Sequence, residues 1–312
     1  MHVQSRTSRG RALTLAALSA LTFQNTALVL LMKQSYRKDA VEYSAGSVVV
    51  LSELIKFFLC VIKVSSADGH RRAVKAVRTA PTNISLALPS VLYIVQNNLL
   101  FEGVRNLPVS VYVVGSQAKI LTSALFSYFL LGVHISYKKA GALLILVAGM
   151  TMVQLPNETN QGITQERNYF LGLSAVLLAC CTSGFAGVSL ERIYKSDGGG
   201  SVWEKNMQLS CFSLPLSLMA AVAKDHELFR SDGFFYGYDA TVCAVILLQA
   251  AGGLIVAIVM RHASTVLKCF AVALSICLCT IVSASQGHET LSFSKIAGIL
   301  FVNFATFLYS TR

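Results

Sequence analysis

Lys119 and Lys268 stand in apolar stretches of the chain with no acidic residue within one helical turn of either. An ammonium group near the centre of a membrane helix costs at least about 2.5 to 3.5 kcal/mol on insertion scales, so it needs a partner anion or a water-filled cavity. A ligand that brings its own negative charge meets that need, and a compact ammonium pairs with phosphate as a point charge. The competing reading is snorkelling, which is open to lysines near a helix end. Lys268, one turn into its stretch, admits both readings; Lys119, near the middle of its own, favours the ligand.

Other polar residues ask for a similar account: Glu53, Lys56, Gln96, Asn97, Asn98, Gln117, Asn206, Gln208 and Gln249. Glu53 precedes Lys56 by three residues on one helix face, so these two are expected to neutralise each other as a structural ion pair. Tyr93 falls one turn before Asn97 on a shared face, while Asn98 is turned by about 100°. Together they offer an aromatic surface and a two-way amide, which could stack on and hydrogen-bond a nucleobase edge. Amide bonding between helices accounts for them equally well.

Catalytic chemistry lacks its parts. Glu53 and Glu102 have no second intramembrane carboxylate or histidine with which to form an acid and base pair. Gly184, Gly187, Gly252 and Gly253 lie inside apolar helices, where small residues permit close packing, and none opens a phosphate-cradling loop. The eight cysteines (Cys60, Cys180, Cys181, Cys211, Cys243, Cys269, Cys277 and Cys279) also sit in apolar stretches. Cys277 and Cys279 are too close in sequence for a zinc pair, and a disulfide framework is not expected. No enzyme activity, metal or cofactor follows from these residues.

The elements that must hold the polar groups are membrane helices. The chain has 312 residues, 54% apolar and 13% charged, against about 25% charged in soluble domains. A spanning helix needs about 20 mostly apolar residues. Ten segments meet that length: Ala12 to Met32, Ser44 to Val64, Ile84 to Val104, Val109 to Leu131, Ala140 to Leu155, Phe170 to Tyr194, Trp203 to Ala223, Ala240 to Met260, Ser264 to Ser285 and Phe293 to Ser310. Ala140 to Leu155 is short, and Gln117 with Lys119 lowers the hydropathy of the segment that contains them. The first segment follows several arginines but lacks a small-residue cleavage site, so it reads as a retained helix.

An even number of spans puts both termini on one side, and Lys and Arg accumulate in the cytoplasm. Arg6, Arg9, Arg11, Lys63, Arg71, Arg72, Lys75, Arg78, Lys138, Lys139, Arg192, Lys195, Lys205, Arg261 and Arg312 share the side of the N-terminus. They outnumber Lys33, Arg37, Lys38, Arg105, Arg167, Lys224, Arg230 and Lys295 opposite, so both termini are expected in the cytoplasm. The net charge of +11 is therefore a topology signal, and nucleic acid is not an expected partner. The sequon at Asn157 falls in a loop on the far side, where glycosylation occurs, whereas the one at Asn83 lies at a cytoplasmic boundary. The expected division is a tail over 1–11, a five-helix half over 12–155, a far-side loop over 156–169 and a second half over 170–312, with Gly198, Gly199 and Gly200 as a flexible connector. An odd number of helices per half would invert one half against the other, as transporters do around a midplane site.

The residues then become recognisable as a set. Glu53 with Lys56; Pro89, Ser90, Tyr93, Gln96 to Leu99; Tyr112, Gln117, Lys119 and Ile120; Ser183 to Val188 with Glu191; Trp203, Asn206 and Gln208; Gly233 to Tyr238; Gln249 to Leu254; and Leu267, Lys268 and Phe270 are the residues that carry it. Over nearly its whole length the chain resembles the eukaryotic nucleotide-sugar transporters that carry UDP-galactose, UDP-N-acetylglucosamine or CMP-sialic acid. The resemblance implies an all-α membrane protein of ten helices in two inverted five-helix halves. It also implies a Golgi location and exchange of a cytosolic nucleotide sugar for a luminal nucleoside monophosphate. It assigns Lys119 and Lys268 to the phosphates and Tyr93, Asn97, Asn98, Ser183 and Asn206 to the nucleotide pocket; Tyr112 and Gln117, in the matching stretch before the first lysine, join the binding set.

Departures from the family pattern leave the sugar open. Val113, Ser116 and Ala118 interrupt the usual Tyr and Gln pairs before Lys119, Ser189 replaces an aromatic, and Ser210 stands where the sialic acid carrier has Tyr. These exchanges are expected to widen the pocket. Glu102 and Arg105 are expected to pair at the luminal end. Gln96 to Phe101 is most similar to the UDP-sugar branch, which points to UDP-N-acetylglucosamine or UDP-galactose exchanged for UMP. The alternatives are CMP-sialic acid exchanged for CMP, a non-transporting membrane scaffold that pairs with glycosyltransferases, and a related carrier for another anion; a homo-oligomer or a glycosyltransferase complex is the expected partner state of the protein.

Overall fold

The computed structural model describes residues 8–35, 43–155, 168–196, 200–287 and 290–311. The sequon at Asn157 and the connector residues Gly198 and Gly199 lie outside the described residues. Within them every regular element is helical: α1 (Ser8–Ser35), α2 (Ala45–Asp68), α3 (His70–Thr79), a 3-10 turn (Ala80–Thr82), α4 (Ile84–Asn106), α5 (Val109–Ser116), α6 (Ala118–Leu131), α7 (Tyr137–Gln154), α8 (Tyr169–Lys195), α9 (Val202–Ser231), α10 (Ala240–His262), α11 (Thr265–Ser285) and α12 (Phe293–Ser310).

The sequence marks several helix ends. Ser44, Ser136, Ser201, Asp239 and Ser292 each accept a hydrogen bond from the backbone N–H three residues on, which satisfies a donor the first turn leaves orphaned. At Ser201 the bond is reciprocal, because Glu204 reaches back to the Ser201 N–H at 2.7 Å. Gly132 ends α6 at φ 64, a left-handed turn that glycine adopts without steric cost.

Eight of these helices are long and apolar enough to cross a bilayer: α1, α2, α4, α8, α9, α10, α11 and α12. The protein is an all-α membrane protein. Two of the ten expected spans take another form. Val109 to Leu131 is broken at Gln117 into α5 and α6, each too short to span alone. In α7, Lys138 and Lys139 occupy the first turn and leave the apolar run to begin at Ala140.

The chain forms two compact units, and each draws helices from both halves of the sequence. One comprises the residues up to Val91 with Ile193–Ser264, the other Leu92–Arg192 with Thr265–Arg312. In the first unit α2 packs on α9 and α1 on α10. A Cβ at Gly46 would lie 2.7 Å from the Ala221 Cβ, so α2 and α9 meet closely there. Near the same crossing Ser44 donates to the Asp225 carboxylate, and Asp225 leaves helical geometry inside α9.

In the second unit α7 packs on α12 and α6 on α11. Ile120, Ala124, Leu146, Met150, Phe270, Val302 and Ala305 form their shared core. The crossing of α7 and α12 is backbone against backbone. A Cβ at Gly298 would lie 2.7 Å from the Gly149 carbonyl oxygen, and one at Gly149 would lie 2.9 Å from the Gly298 carbonyl oxygen. Close approach of this kind drives helix association where lipid offers no hydrophobic force. Gly298→Leu is accordingly expected to destabilise the unit by about 1–3 kcal/mol or more through overpacking, read as a lowered thermal midpoint in detergent. Gly141→Leu, where nothing lies within 4 Å of the added Cβ, is the control expected to leave the midpoint in place.

Candidate functional site

The site in the second unit is built on one face of α8. Cys180, Ser183, Gly184, Gly187 and Glu191 recur at helical spacing along it. α6 docks on this strip through Thr122, whose hydroxyl donates to the Cys180 carbonyl at 2.7 Å. Gly184 makes that docking close, because a Cβ there would lie 2.8 Å from the Thr122 hydroxyl and 2.9 Å from the Ser123 nitrogen. Lys119 lies one turn before Thr122 and Ser123, so it shares the face of α6 turned toward α8. Its carbonyl accepts from the Ser123 and Thr122 hydroxyls at 2.7 and 3.2 Å.

α11 reaches the same strip one turn further along. A Cβ at Gly187 would lie 2.9 Å from the Thr265 methyl and 4.0 Å from Lys268 Nζ. The buried Glu191 carboxylate accepts from the Thr265 backbone N–H at 2.6 Å and from its hydroxyl at 2.8 Å. It thereby caps the first turn of α11, where a negative charge is favourable, and fixes the start of the helix that carries Lys268.

Lys119, Lys268 and Ser183 are therefore gathered along one small-residue strip. Both lysines are partly buried. Among the described residues neither amine makes an ion pair or hydrogen bond. Two cations held this way suit a polyvalent anion.

The remaining expected binding residues are placed less uniformly. Gln117 sits at the junction of α5 and α6, 1% exposed, and its side-chain carbonyl oxygen has no hydrogen-bond partner among the described residues. Tyr112 is half-buried against Gly103 and the core of Leu107, Val176 and Cys180. Tyr93 is half-buried on α4, where Asn97 and Asn98 are exposed, and the Asn98 amide donates back to the Ile94 carbonyl at 3.0 Å. Asn206 belongs to the first unit and is 2% exposed; its amide oxygen accepts from the Tyr194 hydroxyl at 3.1 Å, and its amide nitrogen donates to the Cys60 sulfur at 3.7 Å.

In the first unit Lys56 donates to Glu53 at 2.5 Å, with 7% of the lysine side chain exposed. Ser213 donates to the second carboxylate oxygen. Gly253 leaves room for the lysine stem, whose Cδ would lie 3.0 Å from a Cβ at that position.

Some expectations change. Glu102 accepts from Asn106 at 3.2 Å and makes no ion pair with Arg105 among the described residues; the carboxylate is met by the side chain one turn on. Ser210 and Ser189 are 0% and 9% exposed, so these exchanges offer almost no surface with which to widen a pocket. The eight cysteines are free thiols.

Sequence reasoning missed three structural contacts of the framework that holds the helices of the first unit. Arg72 binds both oxygens of Glu204, at 2.5 and 3.3 Å. Lys205 donates to the Ile193 and Ser196 carbonyls at 2.7 and 2.8 Å, closing the end of α8. Gln208 donates to the Ala76 carbonyl and the Thr79 hydroxyl at 3.1 and 3.2 Å. The i,i+3 spacing of Ser201 and Glu204 before an apolar run was the one available signal, for the capping box.

Comparison with known proteins bears on what this arrangement serves. A UDP-N-acetylglucosamine transporter of Rattus norvegicus is 39% identical over 306 residues, covering 94% of each chain. The UDP-galactose/UDP-N-acetylglucosamine transporter srf-3 of Caenorhabditis elegans is 34% identical over 315 residues, covering 99% of this chain and 85% of that one. A crystal structure with 15% sequence identity superposes with a TM-score of 0.72 over 96% of both chains, a likeness of fold. The sequence profile described as nucleotide-sugar transporter matches residues 9–310. With that match running from the start of α1 to the end of α12, the chain belongs to the nucleotide-sugar transporter family, whose members are transporters and not enzymes.

Proposed function

We propose that this protein carries a cytosolic UDP-sugar, UDP-N-acetylglucosamine or UDP-galactose, across the Golgi membrane in exchange for luminal UMP, by alternating access. The observation that carries the proposal is the pair of ammonium groups, Lys119 and Lys268, along one strip of α8, with no ion-pair or hydrogen-bond partner among the described residues. The names of the relatives supply the substrate class. The cargo's diphosphate neutralises the lysines, and the resulting lower cost of burial lets the loaded carrier cross faster than the empty one.

Ten spans in two inverted halves, with both termini cytoplasmic, complete the reading. If α5 and α6 count as one broken span, the pairs α2 with α9, α6 with α11 and α7 with α12 join the second, fourth and fifth helices of the two halves. Interrupted helices also mark transporter sites, and the break at Gln117 falls two residues before Lys119.

The test is a thermal-shift panel of the purified protein against UMP, CMP, GMP and their sugars. UMP and a UDP-sugar are expected to stabilise it, by about 2.7 kcal/mol at 100 times the dissociation constant. Stabilisation by CMP alone would move the assignment to CMP-sialic acid, and by GMP alone would overturn it; no response to any nucleotide would favour the scaffold. In vesicles, uptake is expected to be markedly slower without internal UMP, and equal rates would refute obligatory exchange.

A further inference from the structure

The short helix α3 carries a feature that transport does not use. It follows α2 after Gly69, where φ is 86, and runs through a 3-10 turn into α4. Its inner face buries Ala73, and Ala76 and Val77 pack with Cys60, Met207 and Trp203. Gln208 of α9 pins its last turn from inside, and Asn83 donates to Gln208 at 3.2 Å. The end of α2 and the start of α9 thus pack on α3, and the 3-10 turn joins it to the start of α4, which places it at the ends of three helices long and apolar enough to cross a bilayer.

The outer face is basic. Arg71, Lys75 and Arg78 fall at i, i+4 and i+7, all exposed, with Val74 37% exposed among them. The fixed anions of this region go elsewhere: Asp68 and Glu204 both bind Arg72, at 3.1 and 2.5 Å. The Glu204 hydrogen bond, then the charges of Glu204 and Asp68, hold the Arg72 guanidinium still further above its usual range. Among the described residues Arg71, Lys75 and Arg78 have no ion-pair partner. A rigid row of three cations around an exposed valine, at the edge of the bilayer, complements a layer of anionic phosphates above acyl chains.

We propose that the Arg71, Lys75 and Arg78 face of α3 docks on anionic phospholipid headgroups of the adjoining leaflet. Each such cation contributes about fivefold to association with an anionic surface. The inference is independent of what the protein carries.

The experiment measures binding of dioctanoyl-phosphatidylserine and dioctanoyl-phosphatidylcholine to the detergent-purified full chain by native mass spectrometry. It compares wild type, Arg71→Gln/Lys75→Gln/Arg78→Gln and a control that removes two cations in another region, Lys138→Gln/Lys139→Gln. The expected result is retention of phosphatidylserine over phosphatidylcholine by wild type and the control, and loss of that preference, by about 100-fold, in the triple variant. All three altered side chains are exposed, and circular dichroism reports whether the variant stays folded. No preference in wild type, or one that survives in the triple variant, would overturn the proposal. So would equal binding of soluble glycerophosphoserine, which would mark a site for free polyanions, or displacement of the lipid by UMP, which would assign it to the transport site. Loss of UMP binding with the lipid preference intact would count against the transport reading alone.

Discussion

Lys119→Ala and Lys268→Ala should each reduce UDP-sugar exchange by thirtyfold or more while leaving the fold intact. Truncating one partner of a buried charged pair costs about 2 to 5 kcal/mol, and about 1.4 kcal/mol is a factor of ten, so the lower end already approaches thirtyfold. The larger part of the loss should lie in nucleotide affinity, because both cations would contact the phosphates in the bound ground state as well as during the crossing. The effect on stability runs the other way. Neither amine has an ion-pair partner among the described residues, so its removal discards a desolvation cost without breaking a bond. The thermal midpoint without nucleotide is therefore expected to hold or rise, while the increment from UMP collapses. A midpoint that falls by several degrees in the absence of ligand would show a structural role for the lysine instead, and full exchange in Lys119→Ala would remove the basis of the transport proposal. Measuring exchange in reconstituted vesicles alongside midpoints with and without UMP separates these outcomes.

What could be read from the sequence, and what could not, divides by distance along the chain. Glu53 and Lys56 are three residues apart, and helical geometry alone brings them into reach. The absence of a local anion beside Lys119 and Lys268 was likewise visible, because it too is a statement about one turn of helix. The strip of α8 was not. Gly184 and Gly187 read only as packing residues, and nothing local told which helices would occupy the space that their missing side chains leave. Glu191 capping α11 across 74 residues, and Arg72 meeting Glu204 across 132, depend on tertiary pairing that no periodicity encodes. The break at Gln117 escaped for a different reason: Ala118, Lys119 and Ile120 have ordinary helix propensity, and the interruption lies in the backbone of Gly115 to Gln117, where the Gln117 N–H bonds back to Val114 at 3.2 Å. Asn206 shows why polarity alone does not mark a ligand contact: a buried amide needs satisfied hydrogen bonds whatever its purpose, and Tyr194 and Cys60 supply them, so its place in the binding set rests on the resemblance.

Glu53→Gln should destabilise the protein by about 3 to 5 kcal/mol, the range for breaking a buried pair by removing one partner. The reason is the lysine left behind. Lys56 has 7% of its side chain exposed, its stem is confined beside Gly253, and Glu53 is its one ion-pair partner among the described residues. In the variant the glutamine oxygen can still accept from Ser213, as the carboxylate does now. Its other side-chain atom then becomes an NH2 group facing the ammonium, donor against donor. Turned over, the amide offers Lys56 a neutral acceptor while its NH2 donates to the Ser213 hydroxyl, but it supplies no countercharge, so relief of the charge requires deprotonation of Lys56 or local opening of α2 from α9. Glu53→Gln/Lys56→Met removes the stranded cation and keeps an unbranched side chain in the same space, so most of the lost stability is expected to return, since apolar replacement of a whole buried pair is often neutral or favourable. Thermal midpoints of the two single variants and the double variant, all without nucleotide, give the coupling energy directly. Additive effects of the two substitutions would mean that the pair is not energetically coupled, and a double variant less stable than Glu53→Gln would show that Lys56 holds the unit by contacts other than its ion pair.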